Sequence, residues 1–396
     1  MSGTRLVRHI NQARTLELLR RHKTLSRAEI ARRLGLTRST LSELTSALVE
    51  GGLVVEDGGP VLHSGGGRPG SGLRLNPAGA RFLGAELGND HITVVTLSLD
   101  AQELARLRAP IESKTDVEAV VARLAGLVRR AIRKAGDAAA VQGLGVSVPG
   151  LLDQDGTVFW LPQLGWRNVD LKGMLEKALG IPVCLDNDAN AAALAELYFG
   201  EAADGADLLY LMLDIGIGGG LIADRSLYRG AGGRGGEVGH IRLDPSGPQC
   251  RCGGTGCFEV VAGKPALLRY DHDAGGTASS ADEVLEHAAA HDAAARAAVG
   301  WWMYWLGRGV ASAVYLLDPR RVVLGGSLAV QVPTLAEDLS AVLREEKVPG
   351  ADELQLTLTQ LGADGVAIGA AALIYQNLFQ IPRSHDDGFA DAFAAS

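Results

Sequence analysis

Nowhere in the chain do eighteen apolar residues run together, and the first residues are polar and basic. Neither a membrane-spanning helix nor a secretory leader is therefore expected, and the cytoplasm is the expected location. Cysteine is scarce, at four in 396 residues, and three of the four fall at Cys250, Cys252 and Cys257. Disulfides are rare in the cytoplasm, so three clustered thiols point to a metal rather than a cross-link. Aromatic residues make up only 5%, whereas glycine is abundant at 52. With 47% hydrophobic residues, the chain can bury the cores of two or three globular domains joined by many tight turns.

Positive charge is in deficit overall, with 38 basic against 46 acidic residues and a net charge of −8. The deficit is uneven. Residues 1–50 hold ten Arg/Lys and four Asp/Glu, a balance of +6, which leaves −14 for the remainder. A small basic head on an acidic body confines any polyanion partner to the head. A solvated helical surface would carry the same charge, so the pattern of residues has to decide.

That pattern is helical. NQARTLELLRRH sets Leu16 and Leu19 on one face, and SRAEIARRLGLTRSTLSELTSALVEGGLVVE predicts two short helices around a turn. Ser26 with Glu29 fits a reciprocal capping box, Gly35 ends the first helix, and Thr37 caps the second. Leu41, Leu44 and Leu48 form the buried stripe of the second helix, opposite Arg38, Ser39, Ser42, Glu43 and Ser46. This is a helix-turn-helix pattern, whose second helix places polar residues where DNA base edges lie in the major groove. Strands at Leu53–Glu56 and Leu73–Leu75 would flank VLHSGGGRPGSG as a wing, with Arg68 suited to a narrow minor groove. The candidate DNA contacts are Ser26, Thr37, Arg38, Ser39, Thr40, Ser42 and Arg68.

From about residue 80, strands and helices alternate with glycine-rich turns, which predicts an α/β domain. Strand, turn and strand are read in RFLGAELGNDHITVVTLSLD, then a helix from Val117 to Lys134. A buried strand in VQGLGVSVPGLLD follows, then a helix in DLKGMLEKALG. A strand pair is read in DLLYLMLDIGIGGGLIAD, and a long helix around WWMYWLGRGVASAVYLL precedes the strand RRVVLGGSL. Trp301, Trp302, Tyr304 and Trp305 suit a core or a subunit interface. Residues 271–283 read as a polar loop, and residues 384–396 as a loose tail. In CLDNDANAAALAE, Asn187 and Asp188 stand at a strand end before a helix of small residues. Such a corner suits taking a proton from a substrate hydroxyl. His240 lies ten residues before Cys250, and three thiolates with one imidazole make a closed tetrahedral set suited to structural Zn2+. The glycines at 253, 254 and 256 would let the backbone fold around the ion; Cys184, outside the set, is expected in the core.

Taken together, several of these stretches resemble the ROK family, named for repressors, open reading frames and sugar kinases. They are SRAEIARRLGLTRSTLSELTSALVEGGL with the later GRP, GVSVPGLLD, NDANAAALAE, GIGGGLI, GGRGGEVGHIRLDP, CRCGGTGCFE and LDPRRVVLGGSL, which span about Arg5 to Leu378. The resemblance implies an actin-like, two-lobed sugar-kinase fold (residues 78–383) behind a winged helix-turn-helix (residues 1–77), a head found in the family's regulators. It also implies that the metal loop presents Glu237, His240 and Glu259 to a sugar, with Asn187 and Asp188 at the hydroxyl that the kinases phosphorylate and Gly150 allowing backbone near the ring. Carboxylates, an amide and an imidazole suit a polyol, because each hydroxyl both donates and accepts.

Departures from the family's kinases decide the expected chemistry. Where they read Asn-Leu-Pro-Gly-Trp, this chain has Pro162-Gln-Leu-Gly-Trp166. Their first phosphate turn, Asp-x-Gly-Gly-Thr, is here Glu86-Leu-Gly88-Asn89-Asp90, and Gly-Thr-Gly-x-Gly-Gly-Gly is here Asp214-Ile215-Gly216-Ile-Gly218-Gly219-Gly220. Phosphoryl transfer depends on positioning and neutralising phosphate charge, and both turns have gained carboxylates. Like charges about 4 Å apart repel by roughly 4 kcal/mol at an effective dielectric near 20. The expectation is a transcriptional regulator, a repressor, that binds a monosaccharide or derivative without phosphorylating it, Asp188 being a vestigial base. Its expected partners are double-stranded operator DNA and a second copy of itself in a homodimer or larger homo-oligomer. An ATP-dependent sugar kinase with an accessory DNA-binding head is the alternative from the enzyme class, and a zinc-stabilised interaction module is a third.

Overall fold

Helices in the first fifty residues begin where side chains can cap them. In the computed structural model, which describes residues 3–61, 70–153, 155–200, 202, 205 and 207–380, the helix Gly3–His22 buries Ala13, Leu16 and Leu19. The next helix, Arg27–Leu34, starts at Ser26, whose Oγ accepts the Glu29 N–H at 3.2 Å, and stops at Gly35 in the left-handed region at φ 67°. Only this half of the expected box forms. The Glu29 carboxylate accepts from Arg32 at 2.7 Å and Arg33 at 2.6 Å, cations one turn further along the same helix. Thr37 caps the helix Arg38–Glu50 by accepting the Thr40 N–H at 3.2 Å, and Leu41, Leu44, Thr45 and Leu48 face inward. Arg27 braces this arrangement, donating to Thr45 Oγ1 at 3.2 Å and to Glu56 at 2.7 Å.

Val54–Val61 and Gly70–Leu75 pair antiparallel, with a register shift between Asp57 and Pro60. A third strand, Thr24–Ser26, adds to the second and was not expected from sequence, because three residues show no alternation. Arg68 and its loop, like the tail at 384–396, lie outside the described residues.

The chain falls into two compact units. The first holds the winged helix, a further five-stranded sheet and the end of the helix Gly365–Tyr375. Its spatial strand order is Val183–Asn187, Val141–Val148, Arg81–Leu87, His91–Ser98, Glu103–Pro110, and the helix Val117–Ala135 packs on it. Tyr375 meets Phe82 edge-on with ring centroids 4.9 Å apart and donates its hydroxyl to the Leu99 carbonyl at 3.0 Å. Burial of both rings contributes a few kcal/mol.

The second unit is built on a sheet ordered Ser226–Leu227, Ile217–Ala223, Leu208–Leu213, Arg321–Gly325, Gln355–Leu358, in which the last two contacts are parallel. A three-stranded meander, Leu151–Leu152, Val158–Leu161 and Trp166–Val169, belongs to the same unit. The long helix, Ala293–Leu317, divides the aromatic cluster. Trp302 is fully buried and donates its indole N–H to the Ala262 carbonyl at 2.7 Å, whereas Trp301 is 58% exposed. The expected loop at 271–283 shrinks to 274–280, because helix Lys264–Asp273 runs into it and Ser280 caps a helix, Ala281–Ala289. Among the described residues no helix is long and apolar enough to cross a membrane.

Candidate functional site

Strand Val183–Asn187 ends at the predicted corner. Asn187 caps the helix Asp188–Phe199, its Oδ1 accepting the Asn190 N–H at 2.7 Å, and Asp188 is the first residue of that helix. The Asn187 carbonyl oxygen is thus engaged by the cap, and its NH2 group is the part suited to an external acceptor. Asp188 is half-buried, and loss of water around its carboxyl pushes its pKa from 3.8 up to about 7. The Asp214 and Glu237 carboxylates add to the rise, while the Ala189 N–H, donating at 2.9 Å, opposes it. Near neutral pH this group both holds and releases a proton, which suits it to a sugar hydroxyl.

One residue earlier stands a participant that the sequence reading passed over. Asp186 is 7% exposed, and its Oδ1 accepts from the Asn187 N–H at 2.9 Å and Asn190 Nδ2 at 2.7 Å. Its Oδ2 accepts two bonds from Arg229, at 2.7 and 3.0 Å. Asp186 therefore fixes the corner to the loop that leads to Glu237. An acid inside an otherwise apolar strand was the available signal.

The glycines of GIGGGLI were expected as a phosphate turn, but Gly218, Gly219 and Gly220 lie within the strand Ile217–Ala223. A Cβ on Gly220 would stand 2.4 Å from the Ala189 carbonyl, and one on Gly219 would stand 2.4 Å from that of Gly236. Their bareness seats the Asp188 helix on one face of the strand and the Glu237 loop on the other. Gly150 is likewise required by a neighbour, since its Cβ would lie 2.7 Å from the Trp160 carbonyl oxygen.

The loop after this strand assembles the remaining predicted residues. His240 Nδ1 lies 3.7 Å from Cys250 Sγ and 3.5 Å from Glu259 Oε1, and its Nε2 lies 4.0 Å from Glu237 Oε2. Burial raises the Glu237 pKa, with Glu259 adding and His240 and Arg234 opposing. The Cys250 thiol donates to Glu259 Oε1 at 2.9 Å, tying that carboxylate to the cysteine cluster. His240, Cys250, Cys252 and Cys257 place their ligand atoms within 4.8 Å of one another, and Cys252 and Cys257 Sγ are 3.6 Å apart. A tetrahedral ion with bonds of about 2.0–2.3 Å needs edges of about 3.3–3.8 Å; the 3.6 and 3.7 Å pairs already match, and the wider ones need only a small side-chain shift to close on an ion. Gly256, at φ 62°, has no room for a Cβ, which would sit 1.6 Å from the Asp244 carbonyl oxygen. Cys184 is half-buried, not in the core, and stands outside the cluster.

The turn between strands Leu208–Leu213 and Ile217–Ala223 carries its own anion. Asp214 Oδ1 accepts the Ile215 N–H at 3.0 Å and the Ser327 hydroxyl at 2.9 Å, with Lys264 Nζ at 3.9 Å. A backbone donor of the kind that would meet a phosphate is already bonded to a carboxylate. In the first unit, the turn after strand Arg81–Leu87 holds Asp90, whose carboxylate is 2.6 Å from His91 Nδ1. That hydrogen bond holds the Asp90 pKa below the ordinary 3.8, so this turn is negative as well. Ser327 and Lys264 gave no sign in the sequence of their part in this.

On the winged helix, Thr37, Arg38, Ser39, Thr40 and Ser42 are all exposed at the start of the helix Arg38–Glu50. Ser26 is not. It is 2% exposed with its hydroxyl turned to the cap, which corrects the expectation that its side chain reaches DNA. Arg20, Arg21, Arg27, Arg32 and Arg33 face Glu17, Glu29 or Glu56, whereas Arg38 has no ion pair among the described residues. Arg38→Ala is expected to weaken operator binding about tenfold in a gel shift and to lower the salt dependence by about one phosphate contact. Unchanged binding would remove this helix from the interface.

Comparison with known proteins gives a consistent picture. Residues 82–377 match the ROK family and residues 8–60 the MarR family. The chain is 29% identical to the xylose repressor of Caldicellulosiruptor bescii, over 97% of this chain and all of that protein. Its fold matches the crystal structure of a ROK family transcriptional regulator, a homologue of the E. coli MLC protein, with a TM-score of 0.80 and 27% identity. That match covers 94% of this chain and 97% of the other. The ROK hexokinase of Thermus thermophilus matches with a TM-score of 0.68 and 34% identity, over 75% of this chain and 99% of the hexokinase.

Proposed function

Since the chain belongs to the ROK family, we propose that it is a sugar-responsive, DNA-binding transcriptional regulator, a repressor, whose kinase-like domain holds a carbohydrate without phosphorylating it. The observation that carries this reading is Asp214. Its carboxylate accepts one backbone N–H of the second phosphate turn, that of Ile215, and sets a negative charge there, while Asp188, Asn187, Glu237, His240 and Glu259 keep the chemistry of a polyol site. Support also comes from the relative named a xylose repressor and from the winged helix in front of the kinase-like domain.

The division of labour is a DNA-reading head in residues 1–77 and a ligand domain in residues 78–383, with Arg68 of the wing as a minor-groove contact. Zn2+ would be held by His240, Cys250, Cys252 and Cys257. With every position filled by protein, the ion keeps the loop's shape and offers no open coordination site for chemistry. Palindromic operators are read by two heads, so the working form is at least a homodimer. The exposed Trp301, Tyr304, Tyr315 and Leu316 on helix Ala293–Leu317 support such an interface. Sugar binding shifts the population between two arrangements of the heads, and with it the fit to paired half-sites.

The test uses the full chain. One monosaccharide from a panel led by xylose is expected to raise the melting temperature and change operator affinity, sedimentation to give a dimer or larger assembly, and ATP with that sugar to yield no sugar phosphate. Turnover abolished by Asp188→Asn would establish the kinase reading instead.

A further inference from the structure

Within the first unit, the winged helix and the five-stranded sheet share a cavity of about 190 Å³. A single water takes roughly 30 Å³ of liquid, so there is room for a small molecule. Leu19 and Leu75 form part of the wall, and the rest is charged. Arg20, Lys23 and Arg74 come from the head, and Asp100 from the turn between strands His91–Ser98 and Glu103–Pro110. Arg20 is already committed, since its Nε and Nη2 donate to Glu17 at 2.8 and 3.0 Å. Lys23 and Arg74 are not. Neither has an ion pair among the described residues, and the guanidinium of Arg74 makes one long contact, with the Leu75 carbonyl at 3.4 Å.

The backbone brings both cations to this place. Arg74 pairs with Thr24 across the small sheet, and Lys23 joins the helix Gly3–His22 to the strand Thr24–Ser26 in the left-handed region, at φ 62°. A glycine would make that turn at less cost, whereas lysine adds a charge at the cavity. The opposite wall is tightly tied. The Ser98 N–H donates to the Gln102 carbonyl and the Ala101 N–H to the Ser98 carbonyl, each at 2.9 Å, which closes the turn that carries Asp100. Asp100 accepts the Ser98 hydroxyl at 2.5 Å and the Gln102 amide at 3.0 Å, one on each oxygen, and pairs with neither cation. Each oxygen keeps a lone pair for a further donor.

Two uncommitted cations suit a phosphate group. A carboxylate on the same cavity repels an anion that can only accept, and welcomes one that also donates. We propose that this cavity binds a small phosphorylated compound bearing a hydroxyl, with the phosphate on Lys23 and Arg74 and the hydroxyl donating to Asp100. None of these residues belongs to the sugar site, and a ligand here touches both the head and the ligand domain.

The experiment is calorimetric titration of the full-length wild type, Lys23→Gln, Arg74→Gln and Asp100→Asn at matched ionic strength. The probes are inorganic phosphate, which keeps an O–H near neutral pH, sulfate, which has none, and glycerol phosphate against propyl phosphate. Phosphate is expected to bind the wild type about tenfold more tightly than sulfate, and each of the two charge variants about tenfold more weakly than the wild type. Glycerol phosphate should exceed propyl phosphate in the wild type and lose that margin in Asp100→Asn. Sulfate should bind Asp100→Asn as well as phosphate does, because the amide donates where the carboxylate repels. That arm is a gain of binding, which misfolding cannot imitate. Equal binding of phosphate and sulfate by the wild type would overturn the inference as a mere ionic-strength effect. Wild-type phosphate affinity in both charge variants would overturn it too, by placing the anion elsewhere on the chain. A wild type that bound no phosphate, with charge variants that lost operator affinity, would assign Lys23 and Arg74 to the DNA backbone instead.

Discussion

Asp188→Asn should melt several degrees higher than the wild type at pH 8 and converge on it as pH falls to about 4. In the folded chain the Asp188 carboxyl has its pKa raised from 3.8 to about 7, by burial first and then by Asp214 and Glu237. A raised pKa means that the fold holds this proton more tightly than the unfolded chain does. The resulting stability is complete below about pH 4 and disappears as pH rises through about 7. Three units correspond to about 4 kcal/mol, and partial access to solvent brings the expected effect to roughly 2–3 kcal/mol. Asparagine keeps the shape and never ionises, so the difference grows from about pH 4 to about pH 7 and is constant above that. The same change removes a charged acceptor, and sugar affinity should fall ten- to a hundredfold. Scanning calorimetry from pH 4 to 8.5 checks the first part and titration with sugar the second. Parallel melting curves at every pH would show that Asp188 is not desolvated as described.

Removing the metal should disable the ligand site and the fold around it together. Cys257 is fully buried two residues before Glu259, and Glu259 touches both Cys250 and His240. Stripping the ion, or Cys257→Ser, leaves polar groups buried without their common partner, at a cost on the order of 3–5 kcal/mol. Elemental analysis should find about one zinc per chain. Exhaustive chelation should lower the melting temperature by about 10 °C and sugar affinity at least tenfold, and added zinc should restore both. Native protein free of metal, or chelation without effect on either reading, would end this account of the cysteines.

Local signals in the sequence were the ones that could be read. Ser26, Gly35 and Thr37 act on backbone within a few residues of themselves, so capping was visible in the chain and is found in the fold. The same holds for the corner at Asn187 and Asp188 and for the His240–Cys257 spacing. What escaped depends on partners far along the chain. Asp214 was read as a repelling charge, but its role is fixed by Ser327, 113 residues away, which makes it an occupant of the turn. The capping box was half right because Arg32 and Arg33 compete for Glu29 more effectively than a backbone N–H does. Helix Ala281–Ala289 hid behind a polar, glycine-bearing approach, and Ser280 marks its start only once its hydroxyl is seen to accept the Glu283 N–H.

The strand Ile217–Ala223 carries a consequence for how the protein can change. Across Gly218, Gly219 and Gly220 the partition between the Asp188 helix and the Glu237 loop is only one main chain thick. One methyl group added there would push a flank outward by an ångström or so and misalign whatever both sides grip. The spacing of the Asp188 helix and the Glu237 loop is therefore set by side chains that are absent. Any change in the distance between those two flanks has to come from side chains elsewhere, because this strand cannot be thickened.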